Sequence, residues 1–172
     1  IWKGTYGIGY KYSDVRTDNL FQFNDIIDGV EIQNNKRSNR FNYDEKVHAG
    51  YINYTSAMQS KVNFSAGLRV ENSDIYGDLT AFDPSLQEPP VDTNYLSLFP
   101  SAGLTYQISP MKQLSLNYGR RINRPDYQVL NPFREQLSEL GFSKGNEKLR
   151  PEIVNNLELA YSLNYMYRFS LG

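Results

Sequence analysis

The sequence predicts an all-β fold, an antiparallel up-and-down meander that forms part of a large transmembrane β-barrel. Three observations carry that expectation. Apolar and polar residues alternate with period two through several stretches, the links between those stretches are short and long in turn, and 14 of the 172 residues are Tyr. Period-two alternation gives a strand two unlike faces. A Tyr ring packs well on a pleated surface, and at a membrane interface its ring meets lipid while its hydroxyl meets water. On composition alone a soluble Tyr-rich β-sandwich stays open.

The elements follow in chain order. Tyr6, Ile8, Tyr10 and Tyr12 share one face, with Gly7, Gly9, Lys11 and Ser13 on the other. From Val47 to Tyr54 the frame shifts: Val47, Ala49 and Tyr51 fall in one register, Ile52 and Tyr54 in the other, which predicts a β-bulge. Val62 to Glu71 alternates cleanly, with Phe64, Ala66, Leu68 and Val70 against Asn63, Ser65, Gly67, Arg69 and Glu71. Leu96 to Ile108 repeats the pattern around Pro100, where a bulge or a local loss of pairing is expected because proline has no N–H for the ladder. Leu114, Leu116 and Tyr118 oppose Ser115, Asn117 and Gly119; Leu157, Leu159, Tyr161 and Leu163 oppose Asn156, Glu158 and Ser162.

Short links are predicted at Ser56–Ser60, Ser109–Gln113 and Asn164–Tyr167, and long loops at Asp14–Asn42, Asn72–Asn94 and Asn123–Ile153. Tight turns on one side and extended loops on the other characterise bacterial outer-membrane barrels, whereas Greek-key sandwiches have little reason to alternate so strictly. The long loops carry polar and proline-rich stretches, and Phe133–Leu140 is expected to form a helical turn. Six long strands and the start of a seventh are too few to close a bacterial barrel, which takes an even number from 8 upward. The chain, which opens at Ile1-Trp2-Lys3 without a targeting segment, is therefore expected to be one partial barrel domain over residues 1–172.

Composition excludes other classes. A net charge of −1 and a pI near 5.9 give no basic stripe for nucleic acid. Without Cys there is no disulfide framework, thiolate metal site or thiol nucleophile. No run of about 18 apolar residues exists, so a transmembrane helix is excluded, but a mean hydropathy of −0.59 suits barrel strands, which show lipid only every second residue.

Three segments resemble a known family. Leu98-Phe99-Pro100-Ser101-Ala102-Gly103-Leu104-Thr105-Tyr106 resembles the "LFPS" strand of Bacteroidetes-type outer-membrane β-barrel proteins of the TonB-dependent receptor superfamily. Leu116-Asn117-Tyr118-Gly119-Arg120-Arg121-Ile122-Asn123-Arg124-Pro125 with Leu130-Asn131-Pro132-Phe133 is similar to their "Y-x-R-R-I-x-R-P … L-N-P-F" segment. Gly145-Asn146-Glu147-Lys148-Leu149-Arg150-Pro151-Glu152 with Leu157-Glu158-Leu159 is similar to "G-N-P-x-L-x-P-E … E-L", Glu147 standing where proline is usual. The resemblance covers residues 43–172 well and the first forty less distinctly. It implies a barrel filled by an N-terminal plug and energised through TonB, importing a siderophore, cobalamin, oligosaccharide or peptide; a plug-less structural or adhesive barrel is the alternative.

Lys11, Arg69, Glu71, Arg121 and Glu158 fall on the polar, lumen-facing frame, where they are candidates to meet the plug or a passing ligand. The plainer expectation is that they pair along the inner wall. Arg120 lies in the lipid-facing frame just beyond Tyr118 and is expected at the membrane boundary, where a charge costs about 0–1 kcal/mol. Asp14, Asp18, Asp25, Asp28, Asp74, Asp78 and Asp83 match no EF-hand spacing and are expected to be solvated rather than calcium ligands. His48, the single histidine, is placed on the polar frame beside Val47, and no nucleophile elbow accompanies it. No enzymatic activity and no cofactor are expected; the expected partners are outer-membrane lipid, the plug, TonB and a nutrient.

Overall fold

The computed structural model describes residues 3–56, 61–138, 140–164 and 166–172. In chain order, β1 (Gly4–Phe21) leads to the hairpin of β2 (Asn24–Ile27) and β3 (Val30–Gln33), then to β4 (Asn39–Ser56), β5 (Val62–Ala81), β6 (Val91–Ser109) and β7 (Lys112–Asn123). A single helical turn, α1 (Tyr127–Leu130), and the hairpin of β8 (Arg134–Gln136) and β9 (Phe142–Lys144) precede β10 (Glu152–Leu163) and β11 (Tyr167–Leu171). The main sheet is seven-stranded and antiparallel in the order β1-β4-β5-β6-β7-β10-β11, a meander with the two hairpins set aside. The sheet is open, with β1 and β11 at its edges.

Because directly opposed residues share a face, the register assigns every side chain a side. One row runs Tyr6–Tyr54–Ala66–Ala102–Tyr118–Leu157, and another Phe64–Leu104–Leu116–Leu159–Leu171. Both lie on the outer face, with Ile8, Leu68 and Tyr106 among its exposed apolar side chains. The opposite face carries rows such as Thr5–Thr55–Ser65–Gly103–Asn117–Glu158. Outside, the apolar band ends abruptly. The row Tyr12–His48–Asn72–Leu96 is followed by Asp14–Lys46–Asp74–Asn94 and then by Arg16–Asp44–Tyr76–Asp92.

Several expectations need correction. The first two long loops are mostly strand: β1, β4, β5 and β6 run 18 to 20 residues, against about 9–11 needed to cross a bilayer. Past the apolar band both faces meet water, so alternation fades while backbone pairing continues. What remains of the first loop is 22–38 with its hairpin, turning at Asp28 and Gly29, both at positive φ (52° and 78°), the geometry of a tight two-residue turn. The second is 82–90, where Asp83 caps the 3-10 turn Pro84–Leu86 and its carboxyl is held below the ordinary range by hydrogen bonds from Ser85. The expected bulge between Val47 and Tyr54 is absent, since β4 keeps one register with β1 and β5 throughout. Val47, Ala49 and Tyr51 are inner-face apolar residues, and His48 lies outside, its Nδ1 2.5 Å from the Tyr10 hydroxyl and its ring 4.8 Å from that of Tyr12. The helical turn is at Tyr127–Leu130; Phe133–Leu140 instead contains β8 and the start of its turn. Of the short link at Ser56–Ser60, residues 57–60 lie outside the described residues.

At Pro100 the expectation divides. The ladder with β5 passes it unbroken, opposite Leu68, but the ladder with β7 ends at Ser101↔Gly119, one residue short of it. The sole register shift between β6 and β7 lies at the turn end, between Gln107 and Ser109.

Two outcomes follow. In the full-length protein, Leu68→Arg or Leu116→Arg should cost about 2–4 kcal/mol and Ser65→Asn far less, read by denaturant unfolding in lipid; equal sensitivity of the two faces would argue against a lipid-facing wall. Residues 1–172 expressed alone should aggregate or require detergent, because both sheet edges and the apolar outer face stay uncovered. A monodisperse, cooperatively unfolding monomer in detergent-free buffer would instead point to a soluble sandwich.

Candidate functional site

The inner face changes character toward the loop end. There the strands present Phe41 and Tyr43 on β4 and Ile75 and Leu79 on β5, apolar side chains on the side expected to be polar. They are covered by the third long connection, whose Leu130 and Phe133 pack against Phe41, Tyr43 and Leu79 as one buried cluster. The loop thus folds onto the inner face, and removing this apolar surface from water holds it there.

Its own backbone is locked in the same place. Phe133 N donates to Asn131 Oδ1 at 3.0 Å, while Gly145 N donates to Asn131 O at 3.0 Å and Asn146 N to Val129 O at 2.8 Å. A Cβ on Gly145 would collide with the Asn131 carbonyl and come within 2.7 Å of that of Val129, so only glycine permits this approach. The Leu130–Phe133 and Gly145–Asn146 segments therefore interlock. Asn146 closes the next turn, its Oδ1 accepting from Lys148 N at 3.0 Å.

Below the cluster lies a charged quartet. Glu71 is 3% exposed and holds two arginines: Oε1 is 2.5 Å from Arg69 Nη2, and Oε2 accepts from Arg124 Nη2 at 2.5 Å. Arg124 Nη2 also donates to Ser73 Oγ at 3.0 Å. Its Nε lies 3.1 Å from Glu45 Oε1, an ion-pair distance without hydrogen-bond alignment, and the Tyr43 hydroxyl donates to Glu45 Oε2 at 3.2 Å. Burial alone would lower the Arg124 pKa; the hydrogen bond from its guanidinium to Glu71 leads the opposing influences, which hold it above the ordinary value. Two cations and two carboxylates alternate, so the buried charge is balanced. Ala49, fully buried beside Glu71 in the same row, leaves room for these side chains.

Beside the quartet is a cavity of about 520 Å³, lined by upper β6 from Val91 to Ser97, by Ile75 and Leu79 and by the Glu147–Pro151 segment. Arg124 also lines it, as does Tyr95, whose hydroxyl is buried beside Arg124 without a well-formed hydrogen bond.

Of the residues singled out in the sequence, the structure brings Arg69 and Glu71 into this site. Lys11, opposite Ala49, and Arg121, opposite Val154, are exposed on the inner face, and Arg121 forms no ion pair among the described residues. Glu158 pairs with Arg168 at 2.7 Å, well away from the quartet. Arg120 stands opposite Asn155, whose Oδ1 accepts from the Tyr118 hydroxyl at 3.0 Å, a polar row directly above apolar ones. The acidic loop residues engage separate partners: Asp14 pairs with Arg16, Asp18 with Arg40, and Asp25 with Asn34. Arg124 and Glu45 were missed by sequence reasoning. The only available signal was that Arg124 belongs to the arginine-rich motif.

Comparison with known families matches a family model, described as the outer membrane protein beta-barrel family, across residues 1–172. The chain belongs to that family. A comparison with curated proteins returns no match. Membership places the chain in the bacterial outer membrane, so the apolar outer face meets lipid and the inner face, with the quartet and the folded loop, meets the lumen.

Arg124→Ala should destabilise the full-length protein by about 1–3 kcal/mol, because it leaves one oxygen of the buried Glu71 carboxylate without its partner while Arg69 still pairs the other. The double variant Arg124→Ala with Glu71→Gln should recover part of that loss. Urea unfolding and the rate of tryptic cleavage within 126–151 would read both, and identical losses in single and double variants would show that the pair is not coupled.

Proposed function

We propose that this chain forms the wall of a TonB-dependent receptor for active uptake of a scarce nutrient. The observation that carries this reading is that the third long loop folds inward, onto the lumenal wall, instead of outward. The three segments that resemble receptor motifs are joined in that one structure. Pro100 bounds the β6–β7 ladder, Arg124 ties the loop's start to Glu71, and Leu130–Phe133 interlocks with Gly145–Asn146. A loop anchored in this way narrows the extracellular mouth and supplies a ligand-facing surface. Lys11, Arg121 and the Glu158–Arg168 pair line the wall below and are the surface on which a plug domain would seat. The reading gives the chain no catalytic step or cofactor. Its partners are lipid, the protein's own plug, the TonB system and the nutrient.

The test is uptake by a strain lacking the intact gene, with TonB coupling present or abolished. Loss of growth on one scarce nutrient in both backgrounds, restored by the intact gene only when TonB functions, is the expected result. Uptake or surface adhesion that persists without TonB would overturn the receptor reading in favour of a plug-less barrel.

A further inference from the structure

Above Pro100, half of β6 has a neighbour on one side only, and the register shows which backbone groups are left over. Gln107 N donates to Lys61 O at 2.7 Å, so odd-numbered residues of β6 turn their amides and carbonyls toward β5 and even-numbered ones toward β7. Asn164 N donates to Met111 O at 2.7 Å, so β7 likewise turns its odd residues toward β10 and its even ones toward β6. The N–H that Pro100 lacks is therefore one that would have faced β7, and the ladder stops there. Beyond it, the N–H and C=O groups of Asp92, Asn94, Leu96 and Leu98 face a gap, with the backbone of Arg120 and Ile122 on its far side.

An open strand edge presents a row of N–H and C=O groups and is a template for another strand. An acyl chain entering the gap would leave them unsatisfied, and Asn94 and Asp92 already lie on the polar side of the outer boundary. The cavity of about 520 Å³ opens beside this same edge, with Asn94, Leu96 and Ile122 in its lining. Its apolar surface comes from Ile75, Leu79, Val91, Leu149 and Ile153.

We propose that the β6 edge from Asp92 to Leu98 is a docking site for an extended peptide segment of a partner protein, which adds to β6 as a strand. Main-chain hydrogen bonds to the even-numbered residues supply affinity, and apolar side chains at every second position enter the cavity and supply selectivity. The site does not depend on the receptor reading, since a plug-less barrel would present the same edge.

The test uses the full-length protein in detergent micelles and a fluorescein-labelled peptide of alternating Val and Thr. Hydrogen exchange should be fast at the amides of Asn94, Leu96 and Leu98 and slow at those of Thr93, Tyr95 and Ser97, and the peptide should slow the first set saturably. N-methylation of the peptide at every second residue, in the frame facing β6, should weaken binding about tenfold or more, and methylation in the other frame much less. Asn94→Pro removes an N–H from the open edge while leaving the β5 ladder intact, and should weaken binding similarly; should it fail to fold, the N-methyl comparison decides. Slow exchange at the even-numbered amides without peptide would mean that the barrel itself covers this edge. Slowing that depends on protein concentration would assign it to a second copy, and binding insensitive to N-methylation would exclude strand addition; each of these results overturns the proposal.

Discussion

In a sheet that crosses lipid, a backbone amide has no water to turn to and must find its partner on the next strand. That constraint underlies the long, unbroken registers of β1, β4, β5 and the lower half of β6. With the register continuous, side-chain facing is settled from one end of a strand to the other. Tyr, Leu and Ile rows meet lipid while Ser, Asn and Gly rows meet the lumen. The ladder gives way where it can be tolerated, at the turn after Gln107 and at Pro100, which sits close to the polar boundary marked by Arg120 and Asn155.

Above the membrane the constraint relaxes, because water can satisfy exposed amides. The strands nevertheless continue, and what they gain is a platform. Their inner face turns apolar at Phe41, Tyr43, Ile75 and Leu79, and the third loop closes over it. The Glu45–Arg124–Glu71–Arg69 quartet sits between this dry cluster and the wetter lumen below. Its carboxylates come from β4 and β5 and its decisive cation from the loop. The wall and the loop therefore stand or fall together electrostatically, and Arg124 acts as the hinge pin of the loop's position.

This arrangement links fold to function in an outer-membrane protein. β7 and β10 are 12 residues long, against 18 to 20 in β1, β4, β5 and β6, so the wall is low where the third loop begins and ends. The loop fills that dip from the inside, and the gap beside upper β6 is the part it leaves uncovered. With a folded inner lining and, besides the edges at β1 and β11, an open edge along upper β6, the wall presents one surface toward the lumen and one through the side.

The sequence alone determined the all-β class, the strand order and the assignment of faces within the membrane, because a strand with lipid on one side and water on the other must alternate. Phe64 to Val70 and Leu114 to Tyr118 were legible for that reason. Where both faces meet water, or both meet protein, alternation carries no information. Hence the upper halves of β1, β4, β5 and β6 read as loops, Val47 and Ala49 suggested a bulge that does not exist, and His48 was set on the wrong side. The site followed the same division. Arg69 and Glu71 lie in a clean alternating stretch and could be placed on the lumenal wall; Arg121 was placed there equally well, but forms no ion pair among the described residues. Arg124 stands past the end of β7, where no frame extends. Its pairing with Glu71, 53 positions earlier in the chain, exists only because the loop buries Leu130 and Phe133 against the inner wall, and only tertiary packing could decide that.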